Sequence, residues 1–405
     1  MKFSDYTATL AAALRVPRES TWRLTGKFLY TFGWKSMRNM HRFMRRQARG
    51  KPFFPAFVMV SVTEQCNLAC TGCWVSKGGR RQLTLDQLEG IIRSCKQNGS
   101  YFFGILGGEP LLYRGLLDLF ERHTDCYFQL FTNGILLTDD TCRRLRRAGN
   151  VTPLISIEGL EEESDRRRGG KAVFDRTLAG VRACRKAKLI FGVAASICKS
   201  NYSELVSRDY IDRIAREGAH YLWYYLYRPV GADANPANAL EKEEVTAFRR
   251  FIVEQRRNAP LFLIETYWDD KGNALCPGAT GMSHHIAPSG AIEFCPPIQL
   301  AREQLNTAGD NLTDVFHRSA FLADLRRLTA QSSRGCILLE DPQKLAAFLT
   351  AQQAVDTTSR HSVLQEYAQM TPLAGHNQQG AEIPEQNPFY RWVKKHYFFG
   401  FGAYG

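Results

Sequence analysis

Six short apolar runs, each followed by a stretch of helical period, constrain this chain more than any other feature. The runs lie at 57–62, 101–106, 126–131, 152–158, 190–197 and 221–228. Helical patterns lie at 84–98, 114–122, 138–148, 172–187, 203–216 and 241–257. Strands that alternate with helices predict parallel pairing, because a parallel pair needs a crossover long enough to hold a helix. Six such units predict an α/β fold, a parallel sheet with helices outside. Thr84 followed by Gln87 is a capping-box signature that opens the first of these helices. Parallel α/β barrels place their chemistry past the C-terminal ends of the strands, so the residues after each run are the first candidates for function.

After the first run come Cys66, Cys70 and Cys73, in Glu64-Gln65-Cys66-Asn67-Leu68-Ala69-Cys70-Thr71-Gly72-Cys73-Trp74. Three thiolates at these gaps can hold three corners of an iron–sulfur cube and leave the fourth iron to an outside ligand. Structural zinc takes four closed ligands and a fully ligated electron-transfer cluster takes four cysteines; neither matches. Gly107-Gly108-Glu109-Pro110 follows the second run and Thr132-Asn133-Gly134 the third. Glycine lets a backbone approach a ligand closely, and the Glu109 carboxylate suits a ligand with a positive charge.

Together the CxxxCxxC loop and the GGEP segment resemble the radical S-adenosylmethionine (SAM) superfamily. The resemblance implies a partial (β/α)6 TIM-like barrel, a [4Fe-4S] cluster on Cys66, Cys70 and Cys73, and SAM closing the open iron. Gly107, Gly108, Glu109 and Pro110 would then hold the SAM amine. It also implies reductive cleavage of SAM to a 5′-deoxyadenosyl radical that abstracts hydrogen from a substrate, with electrons from a low-potential donor such as flavodoxin or ferredoxin. Ser156 and Glu158, at the end of the fourth run, point to one face of a strand, where the family sets polar groups toward the SAM ribose or carboxylate. Arg168, expected in a loop with Asp165 and Arg166, is a candidate for the SAM carboxylate. Ser196 and Asn201 follow the fifth run as weaker candidates. Gly72 stands where many relatives carry an aromatic residue, and Trp74 is a candidate cover for the adenine.

Near residue 260 helical periodicity fades and Cys, Gly and Pro rise. Cys276-Pro277-Gly278, His284-His285 and the stretch from Pro288 to Cys295 are followed by a helical pattern at 312–328 and then Cys336. This resembles the start of the SPASM or shorter twitch extension, which holds auxiliary iron–sulfur clusters. Full SPASM domains carry several more cysteines than are found here. Cys276, Cys295 and Cys336 are the candidates for a second cluster, with His284, His285 or Glu340 as a fourth ligand; a cluster-free hairpin is the alternative. Four segments are therefore expected: a basic amphipathic arm (1–52), a radical SAM core (53–260), a SPASM/twitch-like region (261–345), and a helix with an aromatic-rich tail (346–405). From 357 the tail reads first as a polar linker, then as an aromatic end with Phe389, Tyr390, Trp392, Tyr397, Phe398, Phe399, Phe401 and Tyr404. Cys95, Cys126, Cys142, Cys184 and Cys198 read as core residues, since buried free Cys behaves as a small hydrophobe.

The net charge is +13, and its location matters more than its size. Residues 1–51 hold twelve Lys and Arg against Asp5 and Glu19, a net of +10, which leaves +3 for the remaining 354 residues. A helix over 20–49 is expected to carry Tyr30, Trp34, Met37, His41 and Met44 on one face, with Phe28 and Phe32 beside them and Arg38, Arg42, Arg45, Arg46 and Arg49 on the remaining surface. Such an arm, over residues 20–51, suits an anionic membrane surface; nucleic-acid phosphates or simple packing on the barrel are the other readings. No run of ~18 apolar residues is present and no signal-peptide pattern opens the chain. Eleven cysteines without such a pattern point to a reducing compartment, so the expected address is cytoplasmic, peripheral on the inner membrane face. Nothing reads as an extra leader-peptide-binding domain, so a lipid-like or small-molecule substrate is expected first. A peptide- or protein-modifying enzyme and a non-catalytic iron–sulfur or zinc protein are the alternatives.

Overall fold

The six apolar runs form six parallel strands that lie side by side in chain order. A computed structural model describes residues 4–396, with side chains from residue 7. The strands are β1 (Phe57–Ser61), β2 (Phe102–Leu106), β3 (Tyr127–Thr132), β4 (Val151–Ser156), β5 (Gly192–Ile197) and β6 (Tyr221–Leu226). A short β7 (Phe262–Ile264) adds in parallel beyond β6, one strand more than expected. At the other edge β8 (Ser283–Ile286) pairs in parallel with β1, and β9 (Ala291–Glu293) turns back antiparallel on β8. After β10 (Leu300–Ala301), β11 (Glu303–Gln304) extends that edge, and β12 (Val355–Asp356) pairs with β10 in a separate ribbon. The result is a largely parallel sheet of partial TIM-barrel type. The edge strand β8 escaped the sequence pattern because four residues, two of them His, carry no apolar alternation.

Alternation along each strand separates two cores. Val58, Val60 and Val62 face outward onto Leu88, Ile91 and Ile92 of the helix Leu85–Gln97. That helix opens with the expected capping box, Gln87 N donating to Thr84 Oγ1 (3.2 Å) and Thr84 N to Gln87 Oε1 (3.0 Å). Cys95, Cys126, Cys142, Cys184 and Cys198 are all buried, and the Cys142 and Cys184 sulfurs stand 3.7 Å apart. On the inner face, Phe57, Phe102, Tyr127 and Tyr221, the first residues of their strands, form a second core with Trp223 and Ile264. Phe32, Met40 and Phe43 of the N-terminal arm complete it, so the arm fills the floor of the barrel.

The arm does not keep its apolar residues on one face. It runs as Trp22–Lys27, a π-helical stretch Phe28–Lys35, and Ser36–Ala48. Phe32, Asn39, Met40 and Phe43 are buried, whereas Tyr30 and Trp34 are exposed alongside Arg38 and Arg45. The periodicity had the right spacing, but the wider i→i+5 turns of the π stretch rotate the face that follows.

Two further segments depart from the sequence reading. The expected loop at 165–170 begins as a helix, Glu161–Arg168. It has no apolar stripe; three Glu in its first turn and three Arg in its last complement the helix dipole, and Gly169 at φ +70° ends it. The expected linker after 357 includes a helix, Val363–Gln369, and a polar segment tied to the body. Trp268 Nε1 donates to His376 O (2.9 Å), Arg249 Nη2 to Ile383 O (3.0 Å) and Glu385 N to Asp270 O (3.0 Å). The final described helix, Pro388–His396, buries Tyr390 and Lys394 and stacks Phe389 on Phe262. Tyr397, Phe398, Phe399, Phe401 and Tyr404 lie outside the described residues.

Candidate active site

The cysteine loop leaves β1 at the C-terminal end of the barrel and is held there by backbone contacts. Gly108 N donates to Thr63 O (2.7 Å) and Glu109 N to Gln65 O (2.8 Å), which lays the GGEP segment against the start of the loop. A Cβ on Gly107 would stand 2.6 Å from Thr63 O, and one on Gly108 would stand 2.5 Å from Glu64 O. Only glycine permits this approach. On the far side Thr71 N donates to Arg167 O (2.9 Å), tying the loop to the helix Glu161–Arg168. Asn133 Nδ2 reaches Asn67 Oδ1 (2.7 Å) from the third strand end. Three strand ends and one helix thus converge on Cys66, Cys70 and Cys73, none of which is in a disulfide.

Glu109 is turned inward, against expectation. Its carboxylate accepts from Thr132 Oγ1 (2.8 Å), Asn133 N (2.8 Å) and Leu111 N (3.1 Å) and is fully buried. It acts on the site through the backbone it organises, the GGEP turn and the Thr132–Gly134 turn together. Burial raises its pKa against those hydrogen bonds.

The charge of Arg168 acts on all three thiols and on Glu109. Arg168 is 6% exposed, and its Nε has no hydrogen-bond partner. A buried unpaired guanidinium N–H is costly, so the site is built to receive an anion there. Glu158 lies just beyond β4 and accepts from Ser196 N (2.9 Å); Arg167 Nη1 is 3.4 Å from it and Arg168 Nη1 3.9 Å. Asn201 bonds Glu158 O and Ser196 O (2.8 and 3.0 Å), which ties the ends of β4 and β5 together. Ser156 is half-buried at the end of β4. The structure takes the neighbouring candidates out of the site. Asp165 accepts from Ala172 N and Phe174 N (2.6 and 2.8 Å), so it starts the next helix, and exposed Arg166 pairs with Glu163.

Burial pushes all three thiols up, Cys73 to about 12. Thiolates therefore need a metal to form here. Among the described residues, no three His, Cys, Asp or Glu side chains gather as around a single ion; thiolates on one tetrahedral zinc would stand about 3.8 Å apart. Three separated thiols, a glycine cradle and an unpaired buried arginine fit a cluster with a carboxylate-bearing ligand.

Residues 60–206 match the model of the radical SAM superfamily. This part of the chain, residues 60–206, is of the radical SAM type. Members of that superfamily typically carry a [4Fe-4S] cluster and SAM. The chain is 27% identical over 197 residues to an AdoMet-dependent heme synthase of Methanosarcina barkeri, covering 47% of this chain and 56% of that protein. It is 25% identical over 253 residues to the sporulation killing factor maturation protein SkfB of Bacillus subtilis, covering 62% of this chain and 58% of that one. The matches thus span little more than half of those relatives' lengths. In fold, the crystal structure of Streptococcus suis SuiB bound to its precursor peptide SuiA aligns with a TM-score of 0.59 at 18% identity, over 71% of this chain and 70% of that one.

Two residues of this radical SAM site escaped the sequence reading. A Cβ on Gly72, at φ +71°, would lie 2.6 Å from Tyr227 Oη, so the Tyr227 ring fills the space beside position 72. Arg167, over the Tyr227 ring at 5.7 Å, braces it. Trp74 packs edge-on against His285, at 5.7 Å.

A second thiol trio lies beside the barrel. Burial raises Cys276 to about 11 and Cys295 well above its ordinary range, and the charge of Cys336 adds to both. Arg228, two residues past β6, donates from Nε to Cys336 Sγ (3.4 Å) and lies 3.5 Å from Tyr267 Oη. Burial works against its charge, and Tyr267 and Cys336 more than restore it. Of the three candidate fourth ligands, Glu340 is beside the trio, accepting from Cys336 N (3.3 Å). His284 stacks on Phe316 with Nδ1 3.1 Å from Phe294 O. His285 bridges Ser61 Oγ (2.8 Å) and Glu293 Oε2 (2.5 Å). Both imidazoles are engaged away from the three sulfurs. The one available hint to Arg228 was its place: a polar residue just past a strand end in a parallel barrel.

Proposed function

We propose that this chain is a radical SAM enzyme with two iron–sulfur clusters that oxidises a peptide or protein side chain, working as a peripheral protein at an anionic membrane surface. Cys66, Cys70 and Cys73 would hold the first cluster, the backbone of the Gly107–Pro110 turn the SAM amine and Arg168 its carboxylate. Cys276, Cys295 and Cys336 would hold the second cluster, in a SPASM/twitch-like region. When bound and reduced, the first cluster supplies the electron that cleaves SAM to methionine and a 5′-deoxyadenosyl radical. The protein's own part is to fix the reactants and shield them from water. A low-potential donor such as flavodoxin or ferredoxin would supply the electron.

The observation that carries this reading is the second thiol trio around Arg228. An oxidation initiated by hydrogen abstraction must dispose of one electron from the substrate radical, and a second cluster is a place to put it. A maturation protein and a precursor-peptide complex among the matches favour a peptide over the lipid-like substrate. The heme synthase match keeps a small molecule as the second reading.

Anaerobic reconstitution with a strong reductant tests the proposal. The intact chain is expected to form 5′-deoxyadenosine from SAM, and Cys70→Ala to form none. Iron should fall from about eight to about four per chain in a Cys276→Ala/Cys336→Ala variant. No product from fully loaded protein, given the donor and candidate peptides, would reject the catalytic reading.

A further inference from the structure

Six of the ten exposed large hydrophobic residues among those described lie within 25 positions of the arm: Leu10, Leu14, Trp22, Leu29, Tyr30 and Trp34. Trp22 is 82% exposed and Trp34 56%. Trp392 adds another, on a helix that packs against Ser4–Glu19. Exposed apolar residues scattered singly need no explanation, but a cluster does.

Trp34 also borders a basic stripe. Trp34, Arg38, His41, Arg42, Arg45 and Arg49 line a groove of about 530 Å³ along Ser36–Ala48. Arg42 and Arg46 touch Asn98, through its carbonyl (3.5 Å) and its Oδ1 (3.3 Å). Among the described residues, no carboxylate lies within ion-pair reach of the four arginines of this helix or of Arg49. Burial and the neighbouring Arg42 lower the Arg46 pKa. Uncompensated like charges next to exposed Trp and Tyr match an anionic lipid interface, where aromatic rings enter the headgroup layer and each basic side chain adds attraction.

The opposite face of this helix is what makes the docking directional. Phe32, Met40 and Phe43 seal the N-terminal ends of the strands, while the two thiol trios and the GGEP turn lie at or beyond the C-terminal ends. Resting on the membrane reading of the arm, we infer that the barrel stands on an anionic bilayer floor-down, with Trp22, Tyr30, Trp34 and the arginine stripe as its footprint. Its mouth is turned to the water. The substrate then arrives from the aqueous side, or is a segment long enough to reach over the barrel, and is not a lipid embedded in the same leaflet.

The test uses the full chain, loaded with iron. It should float with phosphatidylcholine vesicles containing phosphatidylglycerol and not with phosphatidylcholine alone. Arg38→Glu/Arg45→Glu/Arg49→Glu should bind about a hundredfold more weakly, while the triple Lys variant binds as the parent, because a diffuse surface counts charge and not fork geometry. Unchanged 5′-deoxyadenosine formation shows that both variants are folded. Brominated lipids should quench the bound protein, and Trp22→Phe/Trp34→Phe should remove most of that quenching while Trp74→Phe leaves it. Equal binding to neutral vesicles, parent-like binding by the Glu variant, or displacement by duplex DNA at equal phosphate would overturn the membrane reading. Quenching that depends on Trp74 would leave binding intact and overturn the orientation alone.

Discussion

At the scale of single residues, the site is organised by two buried arginines more than by acids. Arg168 faces the first thiol trio with an unpaired Nε, and Arg228 faces the second with its Nε on Cys336. Charge-assisted hydrogen bonds contribute about 1.5–3 kcal/mol each. Arg168→Met should therefore weaken SAM binding roughly ten- to hundredfold with iron content unchanged, read by equilibrium binding to the reconstituted protein. Unaltered affinity would remove Arg168 from the SAM site. Spacing made the cysteines and GGEP legible, because both motifs are local. Arg228 and Tyr227 were not, since their partners Cys336 and Gly72 lie more than a hundred positions away. Glu109 was legible in place but not in role: a motif gives a carboxylate's position along the chain, whereas the donors around it come from another strand end.

At the scale of elements, the C-terminal helix is locked by a buried charge cluster. Lys394 and Arg256 converge on Glu265 Oε1 (2.6 and 3.1 Å), Arg249 joins at 2.9 Å, and Arg256 also pairs with Glu385. Burial opposes the Glu265 charge, yet Lys394, Arg249 and Arg256 outweigh it and hold its pKa at about 2 against an ordinary 4.5. As pH falls, the unfolded chain takes up this proton first. The stabilisation is thus complete above about 4.5 and drains toward 2. Glu265→Gln should lose about 3–5 kcal/mol at neutral pH, as breaking a buried pair does. The gap from the parent should narrow as acid is added through that window, measured by denaturant unfolding at several pH values. A gap independent of pH would mean that packing, not charge, sets it. A polar sequence at 371–387 reads as linker for the same reason that it is ordered: its Ile383 carbonyl serves buried Arg249 and its His376 carbonyl buried Trp268, a partnership that composition cannot display. The helix Glu161–Arg168 was hidden likewise, its stability lying in charge placement instead of apolar period.

At the scale of the whole molecule, the strand–helix alternation carried the architecture and the position of the site together, because parallel pairing forces every loop of interest to one end. What it did not carry was the closing of the other end. Arm and barrel are separate in sequence, and the π stretch turned a correctly spaced pattern away from a single face. With Phe32, Met40 and Phe43 packed among the first residues of the strands, the barrel resembles a vial more than a tube. If cofactor and substrate share a single neck, the deeper occupant must enter first and leave last. Initial-rate kinetics should be ordered, with SAM ahead of substrate, and a dead-end substrate analogue should be uncompetitive toward SAM. A random order would mean that the vial has a second opening. If it has none, the substrate is also the stopper: while it sits in the neck, neither dioxygen nor water can reach what lies beneath it.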